Sequence, residues 1–347
     1  VKKRPKQLLV ADLSKFDTNP LFRRNMLKRI LLLCFLLGGL AAGEASAQRF
    51  TRGKRYTSIG FSVNAMNYFG DITPTQSFTS TDLEFTRYNL GVSITRRLTP
   101  RFSIRGMANY GRLRGDDYRS QDPTDDDARF RYLRNASFRT SIYEASVTGI
   151  FDLVENRQSY LRRPDFVPYL FVGVGGFYFN PRSQAPADFG GPGTWVALQP
   201  LRTEGVSYSL IQVNVPFGVG FRYKASPRWD ISFEIGYRYL FTDYLDDVSG
   251  NYADPSTLPS PLARAMANRT TEINSANGSF RDLNRVLNDI GYSVITKRAA
   301  DGSLYRTVNG YEAAEKRGSP NEKDWYLVTG FHFNYILVKG VRCPKFR

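Results

Sequence analysis

From residue 56 onward, apolar and polar positions alternate with period two over long stretches, the signature of strands with one apolar face. Eight such segments are predicted, at 56–68, 83–97, 102–113, 138–152, 168–180, 208–223, 229–242 and 325–338. Each is long enough to cross an outer membrane at a tilt, which takes about 9–11 residues. The second puts Tyr88, Leu90, Val92 and Ile94 on one face, and the third Phe102, Ile104, Ala108 and Tyr110. The sixth carries Ile211 through Tyr223 at every second position; the seventh does the same from Trp229 to Tyr239. Aromatic rings collect towards the ends of these faces and aliphatic chains towards their middles, the girdle pattern of a membrane barrel.

The opposite faces are polar, with Arg87, Asn89, Arg105, Glu144, Ser146, Asp230, Glu234 and Arg238. The lumen of an eight-stranded barrel is about filled by its side chains. Buried charges persist there when paired, so Glu144 and Glu234 are expected to meet Arg105 or Arg238 as structural ion pairs. Loop lengths set the orientation. The links 98–101 and 224–228 are tight and 153–167 is moderate, whereas 69–82, 114–137, 181–207 and 243–324 are long. Short turns belong to the periplasmic end and long loops to the outside. The last loop holds helix-like stretches near 261–268 and 280–290 and is the first candidate for a partner surface.

The fold class that follows is all-β: an eight-stranded antiparallel transmembrane β-barrel over 48–340 with long outer loops, preceded by a signal peptide and followed by a tail at 341–347. The export signal is read from Arg23, Arg24, Lys28 and Arg29, the apolar run Ile30–Leu40, and Ala45-Ser46-Ala47, with cleavage before Gln48 and Met26 as a plausible start. The run is too short to span a membrane. Leu33 before Cys34 does not fit a lipoprotein signal.

Composition narrows the classes. The 347 residues carry 48 Lys/Arg, 32 Asp/Glu, one His, 21 Tyr and 25 Phe, a formal charge of +16. Residues 1–47 hold nine of the basic and three of the acidic groups, so their removal leaves about +10. That charge suits outer-membrane lipid headgroups or an acidic protein surface, and nucleic acid is a poor partner for an exported chain. Mean hydropathy is negative, which argues against helical spans but not against strands. Cys343 would stand alone once Cys34 is removed, so neither a disulfide framework nor a cysteine metal cluster is expected.

Candidate chemistry is sparse. His332 has parity with the lumen, and the sequence puts no nucleophile or carboxylate beside it, so it reads as a packed histidine and the chain as no enzyme. Gly173 to Gly176 lacks dinucleotide-loop spacing and reads as strand glycine. Two acidic stretches, Asp116 to Asp127 and Asp243 to Asp254, lack calcium-loop spacing and read as solvated loops. No cofactor, metal or small-molecule substrate is expected.

Several segments do resemble a known family. They are Asn67-Tyr68-Phe69-Gly70-Asp71, Phe177-Tyr178-Phe179-Asn180-Pro181, Leu198-Gln199-Pro200-Leu201 with Thr203-Glu204-Gly205, and Tyr208-Ser209-Leu210-Ile211-Gln212. The most specific is Phe241-Thr242-Asp243-Tyr244-Leu245-Asp246-Asp247-Val248-Ser249-Gly250-Asn251-Tyr252, and Arg342-Cys343-Pro344-Lys345-Phe346 closes the set. Together they resemble the PorG-like outer-membrane barrels of Bacteroidota associated with the type IX secretion system. The resemblance implies a non-enzymatic barrel that associates with a periplasmic ring of a lipoprotein and its partner. It makes Asp71, Asp243, Tyr244, Asp246 and Asp247 rim-motif residues, in an outer loop and so away from such a ring. Structural capping of the rim is the reading preferred for them. The periplasmic contact candidates are then Arg157, Arg162 and Arg163 in the 153–167 turn, and Arg342, Cys343 and Lys345 in the tail.

Overall fold

The computed structural model describes residues 54–72, 85–120, 128–320 and 323–337. Its strands are β1 (Thr57–Phe69), β2 (Arg87–Arg97), β3 (Phe102–Asp116), β4 (Ser137–Asp152), β5 (Phe166–Tyr178), β6 (Arg182–Gln184), β7 (Trp195–Ala197), β8 (Ile211–Lys224), β9 (Trp229–Leu240), β10 (Val294–Arg298), β11 (Leu304–Val308) and β12 (Trp325–Leu337). Each long strand pairs antiparallel with two neighbours, in the cyclic order β1-β2-β3-β4-β5-β8-β9-β12. The ring closes into an eight-stranded antiparallel barrel, so no long strand leaves a row of unpaired backbone N–H and C=O groups at an edge. The expected signal peptide and the tail lie outside the described residues.

Alternation decides which side each residue takes. Along β2, Tyr88, Leu90, Val92 and Ile94 point out while Asn89 is buried inside, and along β9 Trp229, Ile235 and Tyr239 point out while Asp230, Glu234 and Arg238 are buried. One detail of the expected girdle differs. Rings also occupy the middle of the outer wall, where Phe61 stacks on Phe333 at 4.9 Å and Phe233 meets Phe331 at 5.2 Å. A phenylalanine ring suits the middle of an apolar wall, because it has no polar tip to satisfy.

The two tightest turns use one device. In the β2–β3 turn, Leu98 and Thr99 N–H donate to the Phe102 carbonyl, and the Thr99 hydroxyl accepts from Phe102 N–H. In the β8–β9 turn, Ala225 and Ser226 N–H donate to the Trp229 carbonyl, and the Ser226 hydroxyl accepts from Trp229 N–H. A short side-chain hydroxyl thus satisfies the orphan donor of each turn.

At the other end the described parts of the long loops fold back over the barrel mouth. Short β6 and β7 extend the sheet beyond β4. Between β9 and β12 come helices Pro261–Ala267 and Leu283–Ile290 and the β10–β11 hairpin. The Ser260 hydroxyl and the Asp282 carboxylate cap the two helices by accepting from Ala263 and Arg285 N–H. Under this cap an apolar cluster of Met66, Tyr68, Leu113, Phe138, Ile142 and Phe177 from the strand ends packs against Ile72, Leu245, Val248 and Met266 from the loops. A second cluster higher up joins Tyr132 and Leu133 to Tyr252, Leu283, Leu287, Val308 and Tyr311.

Inside the barrel, large side chains fit against glycines of facing strands. A Cβ on Gly220 would lie 2.4 Å from the Tyr169 ring, and Cβ atoms on Gly218 or Gly236 would each lie 2.9 Å from the Phe171 ring. Gly220→Ala is therefore expected to lower stability by about 1–3 kcal/mol, read as an earlier urea midpoint of the folded barrel. Gly176→Ala, with 3.9 Å of clearance on the outer wall, should leave that midpoint in place.

Candidate functional site

The lumen is built in charged layers. Nearest the short turns, Asp152 accepts from Arg97 and Arg222, each at 3.2 Å. Beside it Asp230 accepts from Arg163 at 2.8 and 3.0 Å. In the next layer Glu234 accepts from Arg105 Nη2 at 3.1 Å and from the Tyr169 hydroxyl at 2.6 Å. Above these, Glu144 meets Arg238 Nε at 3.2 Å and accepts from Asn109, Asn214 and the Tyr326 hydroxyl, the last at 2.6 Å. The four ion-pair candidates thus sort as Arg105 with Glu234 and Arg238 with Glu144. Register resolves the two alternatives left open by the sequence, because Arg105 on β3 and Glu234 on β9 reach each other across the lumen.

His332 differs from its sequence-based reading in one respect. Its Nε2 lies 3.5 Å from Glu234 Oε2, so a carboxylate does stand beside it. That carboxylate is already held by Arg105 and Tyr169, and His332 is buried with them. A cavity of about 30 Å³ lined in part by Arg97, Arg105, Tyr169, Arg222 and Asp230 has room for about two waters. The arrangement suits a plug better than a reaction site, since each carboxylate is already paired with an arginine, with one Asp152 oxygen left without a hydrogen bond.

The acidic stretches are corrected more strongly. Asp116 and Asp117 are buried, and so are Asp243, Asp246 and Asp247; none of these is a solvated loop residue. Asp117 forms a fork with Arg134, accepting from Nε and Nη2 at 2.8 Å each. Arg134 also donates to the carbonyls of Asp71 and Arg317. Asp247 accepts from the hydroxyls of Thr203 and Tyr208 at 2.5 and 2.7 Å, while Arg317 pairs with Glu204 at 2.8 Å and donates to the Asp247 carbonyl. The Asp243 carboxylate accepts from the Ser249 hydroxyl at 2.7 Å, and Asp71 accepts from Ser319 N–H. Tyr244 stacks on Tyr208, with ring centroids 4.8 Å apart. The rim-motif residues are therefore the internal fastening of the cap. Among the described residues, no group of three His, Cys, Asp or Glu side chains stands in a metal-binding arrangement.

One contact carries a proton count. The Tyr68 hydroxyl oxygen lies 2.7 Å from Asp246 Oδ2 and 2.6 Å from Asp324 Oδ1. A phenol has one hydrogen, so it donates to one carboxylate, and the other contact requires a protonated carboxyl donating to the phenol oxygen. Burial accordingly raises both Asp246 and Asp324 well above the usual carboxylate range. Nearby negative charge adds to it, from Asp324 and Asp71 at Asp246 and from Asp243 and Asp71 at Asp324. Burial also pushes Asp243 and Asp247 up to about 6.

The periplasmic candidates divide. Arg163 is a correction: it is buried, holds Asp230, and donates to the carbonyls of Ser226 and Pro227, latching the 153–165 turn onto the β8–β9 turn. Arg162 is exposed, and Arg157 lies at the surface beside Glu155 at 2.7 Å. Arg342, Cys343 and Lys345 lie outside the described residues. Sequence reasoning missed Asp152, Arg97 and Arg222, though all stand on inward parity. It also missed Arg134, Arg317 and Asp324, which sit between the long strands where no period of two marks them, and it held Glu204 only as part of a family motif.

A sequence family described as a domain of unknown function, DUF6089, matches residues 47–258. No curated protein sequence matches the chain. Among solved structures, the chain is similar to the attachment invasion locus protein Ail of Yersinia pestis, in complex with the heparin analogue sucrose octasulfate, at 7% identity and TM-score 0.34, covering 82% of this chain and 99% of that one. It is similar to OprG of Pseudomonas aeruginosa at 9% identity and TM-score 0.34, covering 83% and 99%. It is also similar to a major outer membrane protein of Thermus thermophilus at 11% identity and TM-score 0.32, covering 80% and 99%.

Two outcomes are expected. Arg105→Met should destabilise the barrel by about 3–5 kcal/mol, because Glu234 is left as a buried unpaired charge, and Arg105→Met with Glu234→Met should recover most of that loss; urea titration of the folded barrel measures both. The cap should respond to pH. A carboxyl whose folded pKa is raised contributes stability below its unfolded pKa near 3.9 and loses it as pH rises through the folded value. Amide exchange across 241–252, corrected for intrinsic rates, should then be slower at pH 5 than at pH 7.5 by on the order of tenfold. Equal or faster exchange at pH 5 would refute this sign.

Proposed function

The chain belongs to the DUF6089 family, and from that premise we propose that it is a plugged, non-catalytic barrel of a Gram-negative outer membrane that serves the type IX protein secretion machinery through its ends. The observation that carries the structural half is the layered lumen: Arg97, Arg105, Arg222 and Arg238 are tied to Asp152, Glu234 and Glu144 across the bore. Passing a polypeptide would require breaking every layer, each break leaving a buried unpaired charge at several kcal/mol. The outer wall supports the membrane location, because its band of exposed aliphatic and aromatic side chains would be an aggregation surface in water.

The secretion half rests on the motifs shared with PorG-like barrels. A periplasmic ring lipoprotein and its partner would meet the short-turn end, where Arg157 and Arg162 are presented and the latch of Arg163 fixes the turn that carries them. The cap is on the opposite end and fastens itself, so it is not the ring contact. Catalysis is not part of the proposal, since His332 and its neighbouring Glu234 are both committed to packing.

Photocrosslinking in intact cells from positions 157 and 162 is expected to capture a ring lipoprotein, and the purified barrel is expected to show no steady conductance in planar bilayers. If crosslinks from this turn recover no ring component, and deletion leaves type IX secretion intact, the chain is instead a general small barrel serving surface interaction or membrane integrity. A steady ion conductance would refute the plug.

A further inference from the structure

The outer wall at the loop-rich end carries a charge pattern that the plug does not explain. Arg114 on β3 stands directly opposite Arg139 on β4, and Arg139 stands directly opposite Arg182 on β6. Arg112 is two residues along β3 on the same face. Like charges directly opposite each other destabilise a sheet. Among the described residues Arg114 meets Asp116 at 3.5 Å, and Arg112, Arg139 and Arg182 have no carboxylate partner. The Arg112 Nε is buried without an acceptor. The Arg139 guanidinium is held against the Trp195 ring, 3.6 Å from its centroid, which fixes its plane.

Position supplies the second half. Just below these arginines, on the same face, a row of tyrosines runs across β2, β3, β4 and β5. Tyr110 lies 6.2 Å from Tyr88 and 4.9 Å from Tyr143, and Tyr143 lies 6.2 Å from Tyr178. Such a belt marks the boundary between hydrocarbon and headgroups. At about 3.3 Å per residue along a strand, Arg112 and Arg114 stand one and two side-chain steps above Tyr110, at headgroup height. Further round the barrel at the same end, β8 and the exit of β9 present Ile211, Val213, Tyr239 and Phe241 instead. The cluster is thus a one-sided patch.

The geometry points to a binding site for the phosphate-bearing headgroup of a lipid in the leaflet around the loop-rich end, held by Arg112, Arg139 and Arg182 with Arg114 beside them. Guanidinium forks match phosphate oxygens bidentately, and the counter-charge that the sheet lacks would arrive from the membrane. The inference rests on the membrane location proposed above.

The test uses the full chain folded in vesicles and then released into micelles for native mass spectrometry. The probes are lipid A bearing its phosphates and the same lipid dephosphorylated. Wild type is expected to retain the phosphorylated lipid and not the dephosphorylated one. Arg112→Gln with Arg139→Gln and Arg182→Gln should reduce retention by about tenfold or more, and Arg96→Gln with Arg228→Gln at the other end should not. Should the triple variant fail to fold, Arg182→Gln alone, on an exposed side chain, should still show a reduction. Equal retention by the variants, equal loss in the Arg96/Arg228 control, or full displacement by millimolar inorganic phosphate would overturn the lipid site. Failure to insert into vesicles of any composition, read by heat-modifiable gel migration, would overturn the membrane reading instead.

Discussion

The constraint on which the molecule depends is that every carboxylate inside a narrow, water-poor bore must be paired. Eight strands close a barrel whose interior is the width of its side chains, and among the described residues its inward strand positions carry four carboxylates. A buried carboxylate is tolerable when its lone pairs are occupied. Asp152, Asp230, Glu234 and Glu144 each receive at least one arginine, and Glu234 and Glu144 receive tyrosine hydroxyls as well. Those bonds cross between strands that are not neighbours in the ring. Arg105 on β3 reaches β9, and Tyr326 on β12 reaches Glu144 on β4. The polar contents brace the wall from within, and the glycines facing Tyr169 and Phe171 make room for the braces.

The same requirement recurs at the loop-rich end with a different solution. There the apolar cluster seals the mouth, and above it Arg134 and Arg317 gather backbone carbonyls and carboxylates from segments far apart in sequence. Arg281 does so without a carboxylate, donating to the carbonyls of Tyr132 and Leu133 at the end of helix Arg129–Arg134. An arginine's five donors allow one side chain to bind three loops at once. The cap therefore holds its shape without a continuous sheet, and the Tyr68–Asp246–Asp324 contact ties it to β1.

Most of the barrel was legible because period two is a local signal that survives without knowledge of partners. The first strand was expected at 56–68 and lies at Thr57–Phe69; the eighth was expected at 325–338 and lies at Trp325–Leu337. Errors fall where a side chain obeys a distant contact. Alternation continues back to Tyr208, yet Tyr208 belongs to the cap, where it stacks on Phe179 and Tyr244 and donates to Asp247. Pairing inside the lumen was legible as a set but not as partners, because only register tells Arg105 from Arg238. Arg163 was illegible altogether. It lies in a turn, has no parity, and looks like any exposed cation until the β8–β9 turn is folded against it.

The rim motif shows how a distinctive sequence can be structural. In Asp243 to Tyr252, every acidic side chain is spent on a hydroxyl, a backbone N–H or both, and Tyr244 is stacked. Side chains used this way have little left to offer a partner. A molecule that recognised this end would have to read the surface which the motif supports, such as the loops around Ile273 and Phe280, and not the motif itself. The same reasoning separates the two ends of the barrel. At the short turns the fastening residue is Arg163, which leaves the neighbouring Arg162 exposed. A rigid turn presenting a cation and a closed cap presenting its own backbone are different surfaces, and a plugged barrel has no third place at which to act except its wall.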